Sequence, residues 1–122
     1  MPRKQKRKAS IPKAQAHPWP PSRARLEELI AKATVDAYDD AEQRGGLYTM
    51  IEDHLALPFV TEVLGAAVTV ERIDLTVTDS IVAICRRGKT RQAIAILDLP
   101  LPAPPPRGAE WIEAYRRWAQ GG

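Results

Sequence analysis

At 122 residues the chain has the size of one compact domain, enough for a single hydrophobic core and too short for two. Its net charge of +3 conceals a division: of 18 Lys/Arg, 8 precede Leu26 with no acid among them, which leaves 10 bases against 15 acids and a body at −5. The single cysteine, Cys85, excludes an intrachain disulfide, a zinc ribbon and a redox CxxC pair, while no apolar run approaches the roughly 18 residues of a membrane span and no hydrophobic secretory signal opens the chain. A soluble, cytoplasmic protein without membrane contact is expected.

Residues 1–21 combine like charges with Pro2, Pro12, Pro18, Pro20 and Pro21 and hold almost nothing to bury, so they are read as a basic, Pro-rich flexible arm. The prolines oppose the amphipathic helix of an organellar transit peptide. Arg3, Lys4, Lys6, Arg7 and Lys8 have the chemistry to neutralise phosphates, with Trp19 available to stack on a base, against the simpler role of a solubilising tail.

Residues 22–122 form the expected single domain. Ser22 is placed to cap a helix whose apolar positions Leu26, Leu29, Ile30, Ala33, Ala37 and Ala41 keep the i, i+3, i+4, i+7 spacing of one buried stripe, and Gly45-Gly46 is expected to end it. A second, short helix buries Leu47, Met50, Ile51 and Leu55 before Pro58 stops it, completing the helices of residues 22–57. The pair has a helix-turn-helix shape, but its second member carries Glu52 and Asp53 where a groove-reading helix needs bases and amides. Over residues 61–99 period-two alternation takes over: Val68 and Val70, then Ile73, Leu75 and Val77 opposed by Asp74, Thr76 and Thr78, with Asp79-Ser80 as punctuation. Two further strands, residues 81–85 and 92–97, are joined by a basic loop over residues 86–91, which predicts an α+β chain with a small antiparallel sheet or barrel. Pro100, Pro102, Pro104, Pro105 and Pro106 enforce an extended connection, and a C-terminal helix over residues 107–119 presents Trp111, Ile112, Tyr115 and Trp118 on one face.

The chemically biased stretch is residues 34–59. With the first helix ending at Gly45-Gly46, Asp36, Asp39, Asp40 and Glu42 sit at its negative end, where carboxylates cost a few tenths of a kcal/mol or more each. A cation would turn that penalty into attraction, since carboxylates and free carbonyls are the hard oxygen ligands of calcium, and Glu52 or Asp53 is placed to return from the second helix. A solvated acidic face is the competing reading of the same composition. An EF-hand loop starting at Asp40 puts Glu42 at position three and Gly45 at position six, then fails at Arg44 in position five and Ile51 in position twelve.

The order Val35-Asp36-Ala37-Tyr38-Asp39, then Glu42, Gly46, Tyr48, Glu52, Leu55 and Leu57-Pro58-Phe59 resembles the signature of the small calcium-binding protein family typified by cyanobacterial CcbP. The likeness is clearest from Leu26 to Phe59, fainter through the strands, and returns at the C-terminal helix. It implies an N-terminal helix pair packed on a small antiparallel SH3-like β barrel with a C-terminal helix, a non-catalytic protein that binds calcium through surface acids. Asp36, Asp39, Asp40, Glu42, Glu52 and Asp53 become the implied ligands, while Tyr38, Tyr48, Leu57, Pro58 and Phe59 become structural. The chain departs from the family where its aromatic step is replaced by Leu47-Tyr48-Thr49-Met50-Ile51 and where the basic residues 86–91 stand in place of acidic insertions. Arg116 and Arg117 also fall in a C-terminal region that the family makes more acidic.

The other motifs carry less. Gly88-Lys89-Thr90 resembles the end of a P-loop, but Ala83 holds the place of the required earlier glycine and no helix follows. His54 adjoins Glu52 and Asp53 without a second nearby histidine, and Cys85 on an apolar strand has the pattern of a small buried hydrophobe with no acid-base partner to make it a nucleophile. The alternative to calcium binding is a small-barrel interaction module that docks on nucleic acid or an acidic partner through its basic arm, helped by residues 86–91.

Overall fold

The computed structural model describes residues 18–121, so the arm cations Arg3, Lys4, Lys6, Arg7 and Lys8 lie outside the described residues. Helix α1 (Arg23–Ala33) begins where its cap predicts, with the Ser22 hydroxyl accepting a hydrogen bond from the Arg25 amide at 3.1 Å. It buries Leu29 and Ala33 and stops eight residues short of Ala41, the last position of the apolar stripe. Thr34 turns its hydroxyl back onto the Ile30 carbonyl at 2.7 Å, the Ala37 amide closes a turn on Thr34, and Asp36 adopts φ 64°, a left-handed geometry that aspartate tolerates better than most residues.

A second helix, α2 (Asp40–His54), then starts and runs straight through Gly45-Gly46. The expected break is therefore displaced to residues 34–39, and the two glycines are helix-interior residues. Asp39 is the N-cap of α2 and makes a capping box with Glu42, each side chain accepting from the other's backbone amide. Gly46 has a packing reason: a Cβ there would lie 2.0 Å from the Ala33 carbonyl oxygen, so only glycine lets α2 cross flush against the end of α1.

After Leu55 come four antiparallel strands in the order of the chain, β1 (Phe59–Val63), β2 (Ala66–Leu75), β3 (Ile81–Arg87) and β4 (Thr90–Ala95). β1 is a separate strand that the alternation from Thr61 onward does not resolve. Val77, expected in a strand, is fully exposed in the turn after β2, and the basic loop shrinks to Gly88-Lys89 because Arg86, Arg87, Thr90 and Arg91 belong to paired strands. A bulge between Val70 and Arg72 resets the register so that Val70, Ile73, Ala83 and Cys85 share the buried face. Among the described residues the sheet is open, with β1 and β4 as its unpaired edges.

A 3-10 turn (Ile96–Asp98) and the proline segment lead to α3 (Ala109–Ala119), which buries Trp111, Ile112 and Tyr115 of its expected apolar face, together with Ala114, and leaves Trp118 half-buried. Gly108 at φ 90° starts it, and a Cβ there would lie 2.1 Å from the His54 carbonyl oxygen, which fixes α3 against the end of α2. The Arg116 guanidinium donates to the carbonyls of Ile96 and Leu99 and to Glu113, tying the 3-10 turn to α3. α1 packs chiefly on α3 and α2, and α2 is the helix that meets β2. Leu29, Leu47, Ile51, Val70, Ile96 and Ile112, all essentially solvent-free, join these layers in one core.

Candidate functional site

The changed helix boundary inverts the electrostatics of the acidic segment. Asp39, Asp40 and Glu42 occupy the cap and first turn of α2, where the helix end is positive and each carboxylate contributes about 0.3–1 kcal/mol. Their charge supports the helix they begin. Glu42 Oε1 accepts from the Tyr38 amide at 2.7 Å and the Asp39 amide at 3.3 Å, and Asp39 Oδ1 accepts from the Glu42 amide at 2.8 Å. One oxygen of each carboxylate is thus committed to the backbone, and Asp39 Oδ2 and Glu42 Oε2 are left over. Asp36 lies exposed in the preceding turn, and the neighbouring Val35 and Tyr38 are 70% and 88% exposed, so the break faces solvent except at the half-buried Thr34 and Ala37.

Glu52 and Asp53 do not return toward this segment. They lie on the same continuous helix as Glu42, which at 1.5 Å per residue places Glu52 about 15 Å further along the axis. A calcium ion holds its ligands at roughly 2.5 Å, so a single ion cannot span both groups. Glu52 instead accepts the Tyr48 hydroxyl at 2.9 Å, beside the Ile73 carbonyl at 3.3 Å, and burial, with help from that carboxylate, pushes the Tyr48 hydroxyl above its ordinary 10.0. His54 stacks on Trp111 with ring centroids 5.5 Å apart. Among the described residues no three His, Cys, Asp or Glu side chains are grouped as metal ligands.

The structure also brings together residues that no spacing in the sequence connects. Asp40 lines an open groove of about 770 Å³ with Arg44, Asp79, Tyr115 and Trp118, from three separate elements. The Arg44 guanidinium sits 5.2 Å over the Trp118 ring, whose Nε1 donates to Gln43 Oε1 at 2.8 Å, so α3 is docked on the first turns of α2 by its C-terminal end. Asp79, at φ 62° in the turn after β2, faces Asp40's groove from a position 39 residues away in the chain.

The basic hairpin is less cationic than its composition. Glu71 accepts from Arg86 at 2.5 Å and from Arg91 at 2.8 Å, and these two guanidinium groups hold its carboxyl below the ordinary 4.5. Of the hairpin's four bases, Arg86 and Arg91 are thus paired, and Arg87 and Lys89 have no acid partner among the described residues. Cys85 is buried as expected, and burial pushes its thiol above the ordinary 9.0. No helix among the described residues is long and apolar enough to cross a membrane. Set against protein-family models, curated proteins and solved structures, the chain matches no family, no curated protein and no solved structure.

Proposed function

We propose that the chain is a non-catalytic calcium-binding protein of the CcbP-like class, in which a small SH3-like barrel carries an exposed carboxylate segment. The barrel reading is supported by the chain path: four antiparallel strands, a 3-10 turn, then Leu99, Pro100 and Leu101 beside β1, where the buried Thr61 hydroxyl donates to the Pro100 carbonyl at 2.6 Å. Proline removes the amide donor at residues 100 and 102, which accounts for a fifth segment that follows β1 without forming a ladder with it.

The observation that carries the calcium reading is the division of labour in the capping box. Asp39 Oδ1 and Glu42 Oε1 hold the helix start, while Oδ2 and Oε2 of the same residues, with Asp36 and Asp40 close in sequence, are hard oxygen donors exposed to solvent. Glu52 and Asp53 belong outside this set. Exposed donors that are not pre-arranged give an affinity in the range of weak extracellular calcium modules, about 10⁻⁴ to 10⁻³ M. Titration calorimetry of the full chain should give calcium heat that magnesium does not reproduce. Asp36→Asn/Asp40→Asn, which leaves the Asp39 and Glu42 cap intact, should abolish it. Absence of heat at millimolar calcium overturns the reading.

A further inference from the structure

The helices cover only one end of the sheet's concave face. Along β3 that face runs from Ile81 through Ala83 and Cys85 to Arg87, and the register puts Val68 of β2 and Gln92 and Ile94 of β4 on the same side. At the Ile81 end the face disappears under α2 and the 3-10 turn, on which α3 in turn packs. At the Arg87 end no helix among the described residues covers it, and Val63, Leu64, Val68, Cys85, Ile94 and Arg87 surround an open trough of about 490 Å³. Leu64 stands fully exposed at its rim in a left-handed turn at φ 51°, a conformation that a leucine does not adopt for its own stability.

The two edges of the sheet beside this trough differ. β1 is screened by the proline segment, whose carbonyl at Pro100 already accepts from Thr61. β4 pairs with β3 alone, and among the described residues its outer edge has no ladder partner. It carries neither a proline nor a bulge, so it offers a row of backbone donors and acceptors to an added strand. On the trough's own face the charge is cationic: Glu71 neutralises Arg86 and Arg91 on the opposite face, to which Glu62 of β1 also alternates, and leaves Arg87 at the trough and Lys89 at the hairpin tip.

We propose that this open end is a docking cleft for an extended peptide segment of a partner protein that alternates apolar and acidic residues. The segment adds to β4 as a fifth strand, lays an apolar side chain against Val63, Val68, Cys85 and Ile94, and places a carboxylate on Arg87. Backbone pairing supplies affinity, and the alternation of trough and cation supplies the sequence preference. The inference is independent of the calcium reading, and the test is run in a chelator so that the two fail separately.

The probe is a short blocked peptide alternating glutamate with valine or leucine, titrated into the ¹⁵N-labelled full chain, with its lysine counterpart as the control. The glutamate peptide should move the amides of β4 saturably, and the lysine peptide should not. Arg87→Glu should weaken binding by about fivefold or more, the scale of an exposed charge pair. Leu64→Asp, at a fully exposed position that folding does not need, should weaken it independently. The assignment is overturned by an absence of shifts at millimolar peptide, by equal binding of the lysine peptide, or by shifts confined to the basic arm. Concentration-dependent pairing of β4 with a second copy, with no response to peptide, overturns it as well.

Discussion

Gly45 and Gly46 are neighbours on one helix, and the same substitution is expected to move stability in opposite directions at the two positions. A Cβ at Gly45 meets nothing within 4 Å, so Gly45→Ala gains the helix preference of alanine, about 0.5–1 kcal/mol. A Cβ at Gly46 lies 2.0 Å from the Ala33 oxygen and 3.1 Å from its carbon. These are backbone atoms that no rotamer change can remove, so the end of α1 must retreat by more than an ångström from α2 and loosen Leu29, Ala33 and Leu47, all buried at that contact. Overpacking of this kind costs roughly 1–3 kcal/mol, and subtracting alanine's preference leaves Gly46→Ala destabilised by about 1–2 kcal/mol. Alanine's preference is common to both variants, so they should differ by the overpacking cost, about 1–3 kcal/mol, which at about 4–8 °C per kcal/mol for a domain of this size is a measurable separation in Tm. Urea unfolding followed by circular dichroism measures it. Equal stabilisation of both variants would refute the α1–α2 contact, and destabilisation of both would restore the glycine pair as a helix terminator.

Two further outcomes test the polar features. Asp39→Ala should cost about 1 kcal/mol in the same unfolding assay, because the Glu42 amide loses its acceptor, whereas Asp39→Asn should cost only a few tenths, since asparagine caps as well and only the charge is lost. Glu71 titrates below its ordinary 4.5, so its pairing with Arg86 and Arg91 stabilises the fold above that value. As pH falls the unfolded chain takes up the proton first, and the contribution is gone once pH has passed the folded state's own lower value. The Tm difference between the wild type and Glu71→Gln should hold steady above about pH 5 and shrink below it, and a difference independent of pH would remove the carboxylate from the account.

How far the fold is legible in the chain depends on which signal each element carries. The apolar face of α3 and the alternation through Val68, Val70 and Ile73 are periodic signals, and they mark buried residues correctly at Trp111, Ile112 and Tyr115 and as far as Ile73, beyond which Leu75 is half-buried and Val77 exposed. The boundary between α1 and α2 is a local signal, Asp39 followed three residues later by Glu42, and it was masked because Ala37 and Ala41 continue the phase of the α1 stripe. Both alanines are small enough to sit in either place, and Ala41 is in fact exposed. Gly45-Gly46 misleads for a related reason. Glycine reads as a stop in a sequence, but close approach of two helices demands it equally, and only the position of the Ala33 carbonyl distinguishes the two. The groove of Asp40, Arg44, Asp79 and Trp118 has no local signal at all, since three elements must fold before its residues meet.

The same boundary decides what kind of calcium site the segment can make. Had the acids stood at a helix C-terminus, free carbonyls and an unfavourable dipole would both have drawn a cation in. At the N-terminus of α2 the dipole opposes the ion by a few tenths to about 1 kcal/mol, and backbone amides already compete for Asp39 and Glu42. An ion that takes only Oδ2 and Oε2 leaves the cap standing and gathers few ligands. One that takes both oxygens gathers more, but at the expense of the first turn of α2. Either route weakens binding, and neither disturbs Leu47 and Ile51, which hold α2 in the core from beyond its first turn. The segment therefore serves the fold first, through its cap and turn, and any calcium affinity is what its unused oxygens can add.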